Sequence, residues 1–169
     1  MTLAGLLLAA GGATRFGSPK VLARYRGEAL VRRAVHLLGP RCPGGVHVVV
    51  GSSADAVRAT LLAERVTLVD NPDWPKGLST SLVRGVGALP PSVDAVLVLL
   101  ADQPAVTSED LDALIAAWRV EPELIAAARF SDRLGAPVIM PRAFCPSSRR
   151  SAAIRVREAC WNGTPSTRP

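Results

Sequence analysis

Apolar residues occur along this chain in two patterns. In the first they form short unbroken runs. Leu3–Ala9 is apolar throughout and stops at Gly11-Gly12; Val46–Val50 stops at Gly51; Ala95–Leu100 stops before Asp102. Runs of this length, bounded by glycine or polar residues, predict strands buried on both faces of a parallel sheet. Val66–Val69, Leu124–Ala128 and Pro137–Met140 are read the same way. In the second pattern apolar residues return every third or fourth position, as at Leu30, Val31, Ala34, Val35 and Leu38. That spacing predicts a helix over Glu28–Leu38, ended by Gly39-Pro40. Further helices are expected over Ala54–Leu62 with Ser53 as its cap, over Leu78–Leu89, and from Thr107-Ser108-Glu109-Asp110 to about Trp118. The last has a capping hydroxyl followed by acids in the first turn.

Strands alternating with helices predict an α/β fold: a three-layer, Rossmann-like α/β/α arrangement around a mostly parallel, doubly wound sheet. Such sheets bind ligands at the carboxyl ends of their strands. The polar segments fall there. Gly11–Lys20 follows the first strand, Asn71–Ser81 the third, and Asp102-Gln103-Pro104 the fourth.

Composition narrows this picture. The chain has 169 residues and is 49% hydrophobic, with only 4% aromatics, so its core rests on Leu, Val, Ile and Ala. Alanine and arginine are abundant and lysine occurs only at Lys20 and Lys76, the usage of a GC-rich gene. The formal charge of +6 invites a nucleic-acid reading, but five Arg against Glu158 alone lie beyond residue 144. The body is close to neutral and has no basic stripe, so no nucleic-acid partner is expected. Cys42, Cys145 and Cys160 form no CxxC pair, which argues against a zinc site. The odd count and the lack of a charged leader before Leu3 lead us to expect a cytoplasmic protein. No apolar run approaches the length of a membrane span.

The segment Leu8-Ala9-Ala10-Gly11-Gly12-Ala13-Thr14-Arg15-Phe16-Gly17-Ser18-Pro19-Lys20 holds the most chemistry. Glycines let backbone N–H groups approach an anion closely, and Arg15 and Lys20 can grip phosphates. It is not a P-loop, because Gly17 is followed by Ser18-Pro19, and the G-x-G-x-x-G fingerprint is absent. An ordinary Gly-rich connection with solvated cations would share this composition.

This segment resembles the L-A-A-G-x-x-x-R-[MF]-G-x-x-K signature of the nucleotidyltransferases related to the molybdenum cofactor cytidylyl- and guanylyltransferases. Three later blocks resemble the same family in order and spacing: Asn71-Pro72-Asp73-Trp74-Pro75-Lys76-Gly77-Leu78-Ser79-Thr80-Ser81-Leu82, Leu100-Ala101-Asp102-Gln103-Pro104, and Gly135-Ala136-Pro137-Val138-Ile139-Met140-Pro141-Arg142. The resemblance covers residues 3–144 and implies a nucleotidyltransferase sheet of the GT-A-like type. It implies that backbone groups at Leu8, Ala9, Ala10 and Gly11 lie near base and ribose, with Gly12 also nucleotide-binding. Arg15 and Lys20 would bind the triphosphate, and Gly77, Ser79 and Ser81 would face the base. Asp102 would hold Mg²⁺. The ordinary alternatives are a turn-forming Asp102, capping hydroxyls at Ser79 and Ser81, and a Trp74 that packs the loop. His36 and His47 read as structural.

The resemblance implies CMP transfer from CTP to molybdopterin, or to another phosphorylated acceptor, with release of pyrophosphate. A molybdenum enzyme would be the eventual recipient. Gln103-Pro104 favours CTP over GTP. Guanylyl transfer, transfer to a sugar phosphate, and a non-catalytic nucleotide-binding paralogue stay open. The paralogue stays open because of residues 145–169, which depart from the family. There the resemblance leads us to expect a Leu-rich helix and a Gly-Asp-x-Gly-Ala-Arg block supplying a second acid near the metal. The chain instead turns rich in Arg, Ser, Pro and Cys, with no Asp after Asp132. Residues 1–144 are therefore read as a nucleotidyltransferase domain and 145–169 as an atypical basic tail, frameshifted or disordered.

Overall fold

The computed structural model describes residues 1–12, 19–130, 133–145 and 156–160. They contain one seven-stranded sheet and a small hairpin. The strands of the sheet are β1 (Leu3–Ala9), β4 (Val46–Val50), β5 (Thr67–Asp70), β6 (Ala95–Leu100), β7 (Ile125–Phe130), β8 (Arg133–Pro141) and β9 (Val156–Cys160). Their order is β5-β4-β1-β6-β8-β7-β9. β5, β4, β1 and β6 are mutually parallel, whereas β8 runs antiparallel to both β6 and β7. β9 lies inside the segment set apart above as the tail, and it pairs parallel with β7. Every residue of β1 and β4 is buried, which is why both read as unbroken apolar runs rather than alternating ones.

Alternate residues of these strands feed two cores. On one face α1 (Leu30–Leu38), α2 (Ala54–Thr60) and α4 (Ser108–Val120) cover Leu3, Leu7, Val48, Val50, Leu97 and Leu99. On the other, α3 (Leu78–Gly87) covers Leu6, Leu8 and Val49. A side chain at Gly85 would sit 2.4 Å from Leu6, so only glycine lets α3 lie this close to β1.

Several element ends differ from the sequence reading. Glu28 and Ala29 do not open the first helix. They form β3 (Glu28–Ala29), the return arm of a hairpin with β2 (Arg24–Tyr25). Its turn residues Arg26 and Gly27 have φ of 52° and 87°, the pair of positive angles a tight hairpin demands. Ser53 precedes α2, but its side chain makes no capping hydrogen bond. At α4 the expected cap is present. The Asp110 N–H donates to the Thr107 hydroxyl at 3.2 Å, and the Thr107 N–H donates to the Asp110 carboxylate at 2.8 Å, a reciprocal capping box.

Candidate active site

The carboxyl ends of β1 and β6 lie side by side, with Leu8 opposite Leu100. The loops leaving them must therefore run close together. Between them is a cavity of about 260 Å³ lined by Leu8, Ala10, Gly11, Gly12, Lys20, Val21, Leu78, Leu100 and Asp102. Lys20, in a short 3₁₀ turn after the first loop, and Asp102, two residues beyond β6, thus line one space. Both are exposed. The Ala101 N–H donates to the Leu8 carbonyl at 3.2 Å, which ties the Asp102 loop directly to the end of β1.

Glycine has a different purpose at each position of the first loop. Nothing lies within 4 Å of the place a side chain would take at Gly11, so this backbone is open to the cavity. At Gly12 a side chain would meet the Trp74 ring at 2.7 Å, and at Gly51 it would meet Trp74 at 2.8 Å and the Ala10 carbonyl at 2.6 Å. Trp74 is therefore clasped between two glycines and packs the loop. Asn71, 1% exposed, holds that turn in place. Its side-chain amide donates to Thr80 Oγ1 and Ser81 Oγ at 2.9 Å each, and its carbonyl accepts from the Asp73 N–H at 3.1 Å. The Lys76 ammonium lies 2.7 Å from Asp73 and holds that carboxyl below the usual carboxylate range.

The expected base-facing residues separate. Gly77, with φ of 115°, caps the start of α3. Ser79 is exposed on a second, apolar cavity of about 600 Å³ that adjoins the first through Leu8, Leu78 and Leu100. Ser81 is 3% exposed, bonded to Asn71, and is not on the wall of either cavity. Ala9 is buried in the opposite core. Arg15 lies outside the described residues.

Two residues have a positioning role that the sequence did not assign to them, Gln103 and Gly51. Gln103 donates from its amide to the Ala136 carbonyl at 2.8 Å and accepts from the Leu100 N–H at 3.4 Å. It thereby links the Asp102 loop to β8. Gly51 makes room for Trp74. Glycine at a strand end was the available signal for Gly51; nothing in the residue pattern placed Gln103 against β8.

The donor set suits a hard divalent cation in one way. Among the described residues no group of three His, Cys, Asp or Glu side chains converges, so no all-protein cage exists there. One carboxylate facing a cavity beside a cation and open backbone matches Mg²⁺, which keeps several waters and takes one or two carboxylates plus substrate phosphates.

The fold and the cavity lined by Lys20 and Asp102 are accompanied by a family likeness along the chain. The chain belongs to the MobA-like NTP transferase domain family, whose model matches residues 5–159. It is 32% identical to the nicotine blue oxidoreductase of Paenarthrobacter nicotinovorans, over 93% of this chain and 82% of that protein. It is 36% identical to the bifunctional protein GlmU of Pseudomonas syringae pv. syringae, over 73% of this chain but only 26% of GlmU. Among solved structures it resembles Rv0371c of Mycobacterium tuberculosis, with a TM-score of 0.80 at 24% identity, over 96% of this chain and 89% of that one. That likeness speaks to the fold.

Proposed function

We propose that this nucleotidyltransferase moves CMP from CTP to the phosphate of molybdopterin, using Mg²⁺. The observation that carries the reading is the single cavity into which Lys20, Asp102 and the Gly11-Gly12 backbone all open. An acceptor phosphate oxygen attacks the α-phosphorus, a new P–O bond forms, and the bond to the bridging oxygen breaks. Pyrophosphate leaves with that electron pair. Lys20, with Arg15, neutralises the charge gathering on the leaving pyrophosphate, the kind of positioned stabilisation that dominates such transfers. Asp102 is the residue that would hold Mg²⁺, whose chemistry is to draw charge from the phosphate oxygens. Gly11 and Gly12 offer backbone to ribose and base. The buried free thiol of Cys42 suits a cytoplasmic setting.

The test is to incubate the protein with each of the four NTPs, Mg²⁺ and molybdopterin, and to measure pyrophosphate. CTP-dependent release supports the proposal. Release with GTP, or with a sugar phosphate in place of molybdopterin, moves the assignment to a sister reaction. NTP binding without release from any pair identifies a non-catalytic nucleotide binder.

A further inference from the structure

The two faces of the sheet are unequally covered. α1, α2 and α4 pack on one face. On the other, α3 lies against β1, β4 and β5, and among the described residues no second helix covers β6, β8 and β7. The apolar cavity of about 600 Å³ lies there, walled by Leu82, Val98, Leu100, Val138 and Met140. Leu78 and Leu134 stand on it 60% and 45% exposed. Antiparallel strands such as these can leave one face to water, but that face is then polar; here it is apolar, and an exposed apolar patch of this kind marks an interaction or ligand site. The chain is led into this face. Cys145, 2% exposed, sits in the same core as Val96 and Val98.

A second observation concerns the codons after Phe144. An amino acid almost always fixes the first two bases of its codon. Reading one base early therefore leaves each new residue half determined by the residue that follows. Three junctions are then forced. Phe144–Cys145 can only read Leu, Cys160–Trp161 only Leu, and Trp161–Asn162 only Glu. The junctions Ala152–Ala153, Ala153–Ile154, Arg155–Val156, Val156–Arg157 and Arg157–Glu158 admit Gly, Asp, Gly, Ala and Arg, in that order. Ala159–Cys160 admits Leu. The shifted frame thus spells Gly-Asp-x-Gly-Ala-Arg, the block expected in this part of the chain, and ends it on Leu-Leu-Glu.

We propose that the native chain follows this second frame after Phe144, the present chain having lost one base at the Phe144–Cys145 junction, and that the restored segment is the occupant of the open apolar face. A leucine in place of Cys145 would fill the same buried position. The main-chain ladder between β7 and β9 does not oppose this, because backbone pairing is largely indifferent to side chains. The inference stands independently of which nucleotide or acceptor the site takes.

Sequencing the coding DNA tests it base by base. The expected third bases are G in codons 152, 153, 155 and 156, and C or A in codon 157. Any other base in codon 152 or 153 overturns it. Mass spectrometry of the protein purified from its own cells should find a peptide reading Phe144-Leu. Peptides from the present order between Cys145 and Cys160, without the shifted ones, overturn it. For the apolar face, both chains are expressed and titrated with an environment-sensitive apolar dye. The present chain should give several-fold more fluorescence than the restored one. Equal dye binding, or loss of dye only when the restored chain dimerises, overturns the seating.

Discussion

In the proposed reaction Lys20 and Asp102 carry different parts of the chemistry, so their substitutions should differ in effect. On the proposed reaction Lys20 would face the leaving group, so Lys20→Ala should lower turnover by about 10²–10³-fold with secondary structure unchanged, as removal of one positioned charge does. Near-normal rates in a steady-state pyrophosphate assay would contradict that role. Gly12 fails for another reason. Any side chain there strikes Trp74 at 2.7 Å, so Gly12→Ala should displace the first loop, and Trp74→Ala in the same chain should restore part of the lost nucleotide affinity. Buried groups set a pH limit on stability. Burial lowers the His47 pKa, so the folded chain prefers neutral imidazole. The unfolded chain then binds more protons below the ordinary value near 6.5. Stability from this group is full above that pH and falls as pH drops toward the lowered native value. A Tm that declines from pH 7 to pH 5, with a shallower decline in His47→Phe, is the expected result.

At the scale of elements, the β5–α3 connection decides whether the first loop has a wall to rest on. Asn71 bonds α3 through Thr80 and Ser81 and orders the turn carrying Trp74. Asn71→Ala would leave buried partners unmet and should cost about 1–3 kcal/mol, read as a lower Tm or denaturant midpoint. The strands were legible from sequence because burial on both faces writes unbroken apolar runs, as in β1 and β4. The capping box at Thr107 was legible because its chemistry is local. The hairpin before α1 was not, since Glu28 and Ala29 are compatible with a helical first turn and only the Arg26-Gly27 turn removes them from it. The reversed direction of β8 also had no local signature, because its apolar core reads alike in either direction. The family resemblance implied that Ser81 faces the base, yet Ser81 lies on the buried side of α3, where it accepts a hydrogen bond from the Asn71 amide.

At the scale of the whole molecule, the site is made by topology. Parallel β1 and β6, adjacent in the sheet and distant in sequence, bring Lys20 and Asp102 to one cavity. The four ordered blocks foretold that meeting, while the role of Gln103 in tying the Asp102 loop to Ala136 needed the folded chain. The most direct test of the account is a titration of CTP binding, with and without Mg²⁺, to the parent chain, Lys20→Ala and Asp102→Asn. The account predicts that Lys20→Ala weakens CTP binding under both conditions, whereas Asp102→Asn removes only the gain that Mg²⁺ brings. CTP binding by both variants at parental strength, with the Mg²⁺ gain intact, would contradict it.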